Sequence, residues 1–232
     1  MPSQGALWRQ LFALGMAYPV MRLWLGLRVR HRARLPQQGP AIIVANHNSH
    51  LDILALLALF PLRRVPDVQT VAATDYFCKS RWLRWFSTHL VGIIPIVRGS
   101  GQAADIDPLE GCYRALAAGQ VVIVFPEGTR GQPEQFGELK SGIWYLARRF
   151  PQVPIVPVFL AGMGKSMPRG APIAVPMNVQ AIVGHPLSYL GDKAQFMSTL
   201  REQLCELRAQ LGLAESGQER PAERSEASRS QQ

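Results

Sequence analysis

His47 and Asp52, in the run Asn46-His47-Asn48-Ser49-His50-Leu51-Asp52, are the residue types best suited to chemistry: an imidazole that can serve as a base and a carboxylate that can orient it. They stand five residues apart, which on a continuous helix would turn their directions apart by about 140°. They meet only if His47 lies in a loop and Asp52 in the first helical turn, with Asn48 or Ser49 as the N-cap. A carboxylate that holds one ring nitrogen fixes the tautomer and makes the other nitrogen a competent base. The run supplies a base and its orienter without an obvious nucleophile. The same residues also read as capping and turn groups, and His47, His50 and Asp52 as metal ligands, although no second Cys/His cluster with ligand spacing occurs in the sequence.

The elements that must position this run are visible as apolar segments. Residues 41–45 suit a buried strand, and Ile53 onward suits a helix that reaches Phe60 and ends at Pro61. A second buried strand, residues 121–125, delivers Pro126-Glu127-Gly128-Thr129-Arg130 to its carboxyl end, the edge at which open α/β sheets bind ligands. If the two strands are parallel, both runs share one edge. There Pro126 stiffens the turn, Gly128 permits close approach, and Arg130 offers a planar fork for phosphate. Glu127 is placed to pair with Arg130 or with a substrate hydroxyl. A strand over 91–97 ends on Arg98 before Gly99-Ser100-Gly101, a position suited to an anion. Lys140, at the start of a helix predicted over 138–149, is a second candidate phosphate contact. Further strands are expected over 68–73, 153–160 and 177–183, the prolines of the second suiting an edge or a strand start. Helices are expected from Asp107 and from Asp192. The order predicts a single α/β domain with a mixed sheet flanked by helices.

Charge is unevenly spread. Lys and Arg number 25 against 16 acidic residues, a formal net charge of +9. Residues 1–34 carry Arg9, Arg22, Arg28, Arg30, Arg32 and Arg34 with no acid, in a strongly apolar setting. That combination points to an anionic membrane surface and away from nucleic acid. The uninterrupted apolar run 11–21 has eleven residues, short of the roughly 20 that span a bilayer. No A-x-A cleavage site follows it, so an export signal is not expected. The segment reads as interfacial helices broken near Pro19, with Trp8, Phe12, Tyr18 and Trp24 at the headgroup boundary, or else as a helix packed on the domain itself. The aromatic and basic stretch 76–86 suits an acyl groove, a membrane contact or plain core. Cys78, Cys112 and Cys205 are far apart and form no CxxC, which points to a reducing compartment. Residues 213–232 read as a disordered polar tail.

Four blocks, NHNSHLD, GIIPIVR, FPEGTR and VPIVPV, stand in that order over about residues 41–160, and together they resemble the 1-acylglycerol-3-phosphate acyltransferase family of glycerolipid acyltransferases. The resemblance implies that His47 is the general base on an acceptor hydroxyl, that Asp52 orients it, and that the hydroxyl attacks the thioester of acyl-CoA or acyl carrier protein directly. It implies substrate-binding roles for Arg98, Glu127, Gly128, Thr129 and Arg130, with Lys140 as a further contact, and no metal or other cofactor. It implies 1-acyl-glycerol-3-phosphate as acceptor and phosphatidate as product, another lysophospholipid or a lyso-ornithine lipid being the alternative. A catalytic domain over 35–212 is then expected behind the membrane-interfacial element 1–34, on the cytoplasmic face of the inner membrane. Pro95 and Val97 depart from the family pattern and leave the path of the second block open. A non-catalytic lipid-binding module and a metal-dependent lipid hydrolase are the rival classes.

Overall fold

Short, largely β-branched apolar runs, buried along their whole length in β2, β5 and β6, build the sheet. The computed structural model describes residues 4–73, 85–96, 107–131, 136–167 and 174–213. In chain order it contains α1 (Gln4–Phe12), continued by wider π-helical turns over Ala13–Ala17 and Pro19–Trp24, then β1 (Arg28–Arg30), β2 (Ala41–Ala45), α2 (Leu51–Leu59), β3 (Val68–Ala73) and β4 (Ile93–Ile96). There follow α3 (Glu110–Ala117), β5 (Val121–Val124), α4 (Gly142–Arg149), β6 (Ile155–Ala161), α5 (Met163–Ser166), β7 (Gln180–Val183) and α6 (Lys193–Gln210). Among the described residues the seven strands form one sheet in the order β1-β7-β6-β2-β5-β3-β4.

Strand β2 lies at the centre and pairs in parallel with β5 on one side and β6 on the other. β3 and β4 extend the parallel set, whereas β7 runs antiparallel to β6, and β1 follows β7. Successive side chains of a strand point to opposite faces. Ala41, Ile43 and Ala45 accordingly join the N-terminal helix and α2 in one core, while Ile42 and Val44 join α3, α4 and α6 in the other. With helices on both faces, central strands must be apolar throughout, as β2 and β5 are.

Several expectations are corrected. β6 is an interior strand, not an edge, despite Pro157. The N–H that proline lacks would face Gly184 at the terminal rung of the β7 pairing, where Gly184 N–H still donates to Pro157 O at 2.8 Å. One bond is lost at the end of a ladder, and a Cβ at Gly184 would collide with the proline ring. Pro95 is accommodated more simply, because β4 is an edge strand. The N-terminal helix is not broken at Pro19. Wide turns carry it past the proline, whose missing N–H would leave a normal helical bond unmade. Helix α4 begins at Gly142, which leaves Lys140 in the preceding loop. The short basic strand β1 was not expected, and its pairing with β7 carries the sheet across residue 34. Asp192 caps α6 as predicted, accepting from Gln195 N–H at 2.7 Å. Asp107 instead caps the turn ahead of α3, accepting from Leu109 N–H at 2.8 Å. Most of the stretch 76–86 and the tail from 214 onward lie outside the described residues.

Candidate active site

The parallel pairing of β2 with β5, in register from Ala41 with Val121 to Val44 with Val124, sends NHNSHLD and FPEGTR off the same edge of the sheet. Asn46 closes β2 by side-chain pairing. Its Nδ2 donates to Leu160 O at 2.8 Å and its Oδ1 accepts from Leu160 N–H at 2.7 Å, so a fully buried amide continues the β2–β6 ladder and fixes where the next residue begins. That next residue is His47.

Asp52 sits in the first turn of α2 with no solvent exposure. Its Oδ2 lies 2.9 Å from His47 Nδ1 and accepts the backbone N–H groups of Asn48 at 2.6 Å and Ser49 at 2.8 Å. One oxygen thus organises the loop and the imidazole together, and the helix N-terminus favours its negative charge. Ser49 Oγ accepts from Leu51 N–H at 3.3 Å, but the helix cap itself is His50, whose side chain makes no capping bond. The expected cap at residue 48 or 49 therefore moves by one or two positions, because Asp52 satisfies those N–H groups from inside the helix. With Nδ1–H donated to a carboxylate, Nε2 is the basic nitrogen of His47. The ring is stacked on Phe125 at 4.2 Å between centroids and 20° between planes, and the side chain is 19% exposed.

Glu127 is buried beneath this loop. Its Oε1 accepts His47 N–H and its Oε2 accepts Gly137 N–H, both at 3.1 Å. Burial pushes its carboxyl above the ordinary range, with the two N–H donors acting the other way. Gly131 N–H donates to His47 O at 2.9 Å, a second tie between the two loops. Gly128 has φ +69°, and a Cβ there would stand 3.1 Å from Cδ and Cε of Lys140, so the lysine stem lies across the glycine backbone. Lys140 N–H donates to Pro126 O at 2.8 Å, which holds that residue beside the turn. Thr129 is exposed at the loop tip. Arg130 is half-buried, and its Nη1 donates to His50 Nε2 at 2.6 Å.

The structure therefore gathers His47, Asp52, Glu127, Gly128, Thr129, Arg130 and Lys140 at one edge. Arg98 lies outside the described residues. Two contributors were not foreseen as site residues, Phe125 under the imidazole and Asn46 as the ladder's last rung, and His50, weighed from the sequence as a metal ligand, is instead the partner of Arg130. A buried asparagine directly after an apolar strand is the one signal that could have marked Asn46. The metal alternative fits these contacts poorly, since a cation at His47, His50 and Asp52 would sit beside the Arg130 guanidinium.

The chain resembles proteins of known name. Over 188 residues, 77% of this chain and 50% of the relative, it is 32% identical to the chloroplastic 1-acyl-sn-glycerol-3-phosphate acyltransferase LPAT1 of Arabidopsis thaliana. It is 36% identical to the 1-acyl-sn-glycerol-3-phosphate acyltransferase of Saccharomyces cerevisiae over 62% of this chain and 46% of the relative. The chain spans about half the length of these curated relatives. Its fold is that of the 1-acyl-sn-glycerophosphate acyltransferase PlsC from Thermotoga maritima, with TM-score 0.70 and 21% identity over 90% of this chain and 80% of that one. Residues 26–161, which contain β2, β5, β6 and both loops of the site, match the family described as Acyltransferase. An oriented imidazole at the shared edge of β2 and β5 and a family match that spans both of its loops lead to one conclusion: the chain belongs to the acyltransferase family.

Proposed function

We propose that this chain transfers a fatty acyl group from an acyl thioester, acyl-CoA or acyl carrier protein, to the free hydroxyl of 1-acyl-glycerol-3-phosphate, giving phosphatidate. The observation that carries the reading is the His47 Nδ1 to Asp52 Oδ2 bond of 2.9 Å, set at the sheet edge that also bears Arg130 and Lys140. His47 Nε2 takes the proton of the acceptor hydroxyl as its oxygen attacks the thioester carbonyl. The C–S bond then breaks, the thiolate leaves and is protonated, and the products are an ester and a free thiol. No acyl-enzyme and no cofactor enter this sequence. The buried Asp52 carboxylate stabilises the imidazolium formed on the way, and Arg130 and Lys140 face the acceptor's phosphate. The names of the relatives support this acceptor over other lysolipids. We also propose that the N-terminal helix seats the enzyme on the anionic cytoplasmic face of the inner membrane, where both lipids reside.

Purified enzyme offered mixed acyl thioesters and a panel of lysolipids should yield phosphatidate as the principal product by lipid mass spectrometry. His47→Ala should lower acceptor-dependent thiol release by about 10²–10⁴-fold. A variant with the wild-type rate, or acylation confined to a phosphate-free acceptor, would overturn the reading.

A further inference from the structure

His50 lies between the two members of the His–Asp pair and serves neither role. Its Nε2 accepts a hydrogen bond from Arg130 Nη1 at 2.6 Å, across 80 residues of sequence, from the loop after β2 to the loop after β5. An imidazole nitrogen that accepts is unprotonated, so the proton of His50 is on Nδ1. A guanidinium has five N–H donors in a planar fork, and the bond to His50 engages one of them.

We propose that His50 is a positioning residue of the acceptor site: it holds the Arg130 guanidinium in the orientation that meets the phosphate of the acceptor lipid. The proposal rests on the reading of Arg130 as a phosphate ligand. Arg130 is half-buried beside the exposed Thr129 and reaches the site on a long side chain, and holding such a side chain in one rotamer removes the freedom it would otherwise have. Apparent affinity falls in proportion to the fraction of time the binding-competent arrangement is populated. Holding the guanidinium thus acts on acceptor affinity and not on the chemical step, which belongs to His47. The groups facing His50 are Arg130, His47 and Asp52. Burial, then Arg130 and His47, lower its proton affinity, and Asp52 opposes them, so the accepting neutral form prevails at neutral pH. Acidification through that lowered value charges His50, and the arginine is released.

The test is steady-state kinetics with lysophosphatidate for wild type, His50→Leu, His50→Gln, Arg130→Ala and the His50→Leu/Arg130→Ala double variant. His50→Leu should raise KM for the acceptor about tenfold, with the loss falling on KM and not on kcat. His50→Gln, whose amide oxygen can accept the same bond, should recover most of that affinity. The double variant should bind no worse than Arg130→Ala alone, because His50 acts only through the arginine. A loss on kcat, a glutamine no better than leucine, or multiplying effects in the double variant would overturn the proposal. If Arg130→Ala leaves KM unchanged, the phosphate reading itself is wrong and the proposal falls with it.

Discussion

Glu127 joins the two loops of the site through backbone donors, taking His47 N–H on one oxygen and Gly137 N–H on the other. Glutamine at this position would turn an amide N–H toward one of those buried donors, at a cost of about 1–3 kcal/mol. Because burial raises the carboxyl's pKa in the folded chain, the fold keeps that proton at pH values where the unfolded chain has released it. The stability linked to this proton is complete below the unfolded value and is lost as pH rises through the folded one. Glutamine does not titrate. The melting temperature of wild type minus that of Glu127→Gln should therefore widen as pH is lowered from about 7 toward about 4. A gap independent of pH would show that the fold does not favour the proton. His47 and Asp52 were legible in the sequence because their bond is local, closed within one loop and one helical turn. The contacts of Glu127 and His50 were not, because each meets a partner 80 residues away: Glu127, expected against Arg130 or a substrate hydroxyl, takes backbone N–H groups, and Arg130 takes His50.

The helix that opens the chain is fastened by an arginine. Arg9 is 6% exposed, and its guanidinium donates to the carbonyls of Pro66, Val68 and Val91, at the start of β3 and the turn before β4. Burial lowers its pKa to about 10, with Asp67 acting the other way. Gly92, at φ +78°, passes directly beneath, and a Cβ there would overlap the guanidinium. Arg9→Met would leave buried carbonyls without their charged donor, a loss of about 2–4 kcal/mol, or about 5–15 °C in melting temperature for a chain of this size. Gly92→Ala should also destabilise, by displacing the same side chain and straining the backbone. The two changes meet in one contact, so Gly92→Ala should cost less in the Arg9→Met background, and additive losses would refute the shared contact. Four further N-terminal arginines also donate to backbone carbonyls. Arg22 bonds Ala58 O, Arg30 bonds Gln210 O, Arg32 bonds Leu59 O and Arg34 bonds Val183 O. These carbonyls are distant in sequence, so the bonds to them could not be read from the arginines' own segment. The apolar strands β2, β5 and β6 were legible from uninterrupted apolar and β-branched composition alone, whereas β1, three residues with two exposed arginines, has no such signature.

At the scale of the whole molecule, the N-terminal helix has two faces with different fates. Ala13, Ala17, Met21 and Leu25 are buried in the core against α2. Leu7, Trp8, Leu11, Leu14, Met16, Leu23 and Trp24 remain 44–84% exposed, an apolar surface larger than a soluble domain keeps without a use. No helix among the described residues is long and apolar enough to cross a membrane. The exposed face continues to the site's side of the sheet: Leu23 and Trp24 border a cavity of about 610 Å³ with Ala161, Gly162 and Lys165 at the end of β6, one strand from His47. A bilayer against this face would present a lysolipid close to the base, which is the physical case for the proposed seating. Leu23 is 84% exposed and Leu14 54% exposed, so charging them should spare the core. Each leucine buried in lipid contributes roughly 1–2 kcal/mol. Leu14→Glu/Leu23→Glu should therefore reduce sedimentation with phosphatidylglycerol-containing vesicles by at least about tenfold while leaving the melting temperature unchanged. Acylation of lysophosphatidate in vesicles should fall in parallel, and acylation of the same acceptor in detergent micelles should not. A double variant that still sediments like wild type would remove this face from the membrane contact.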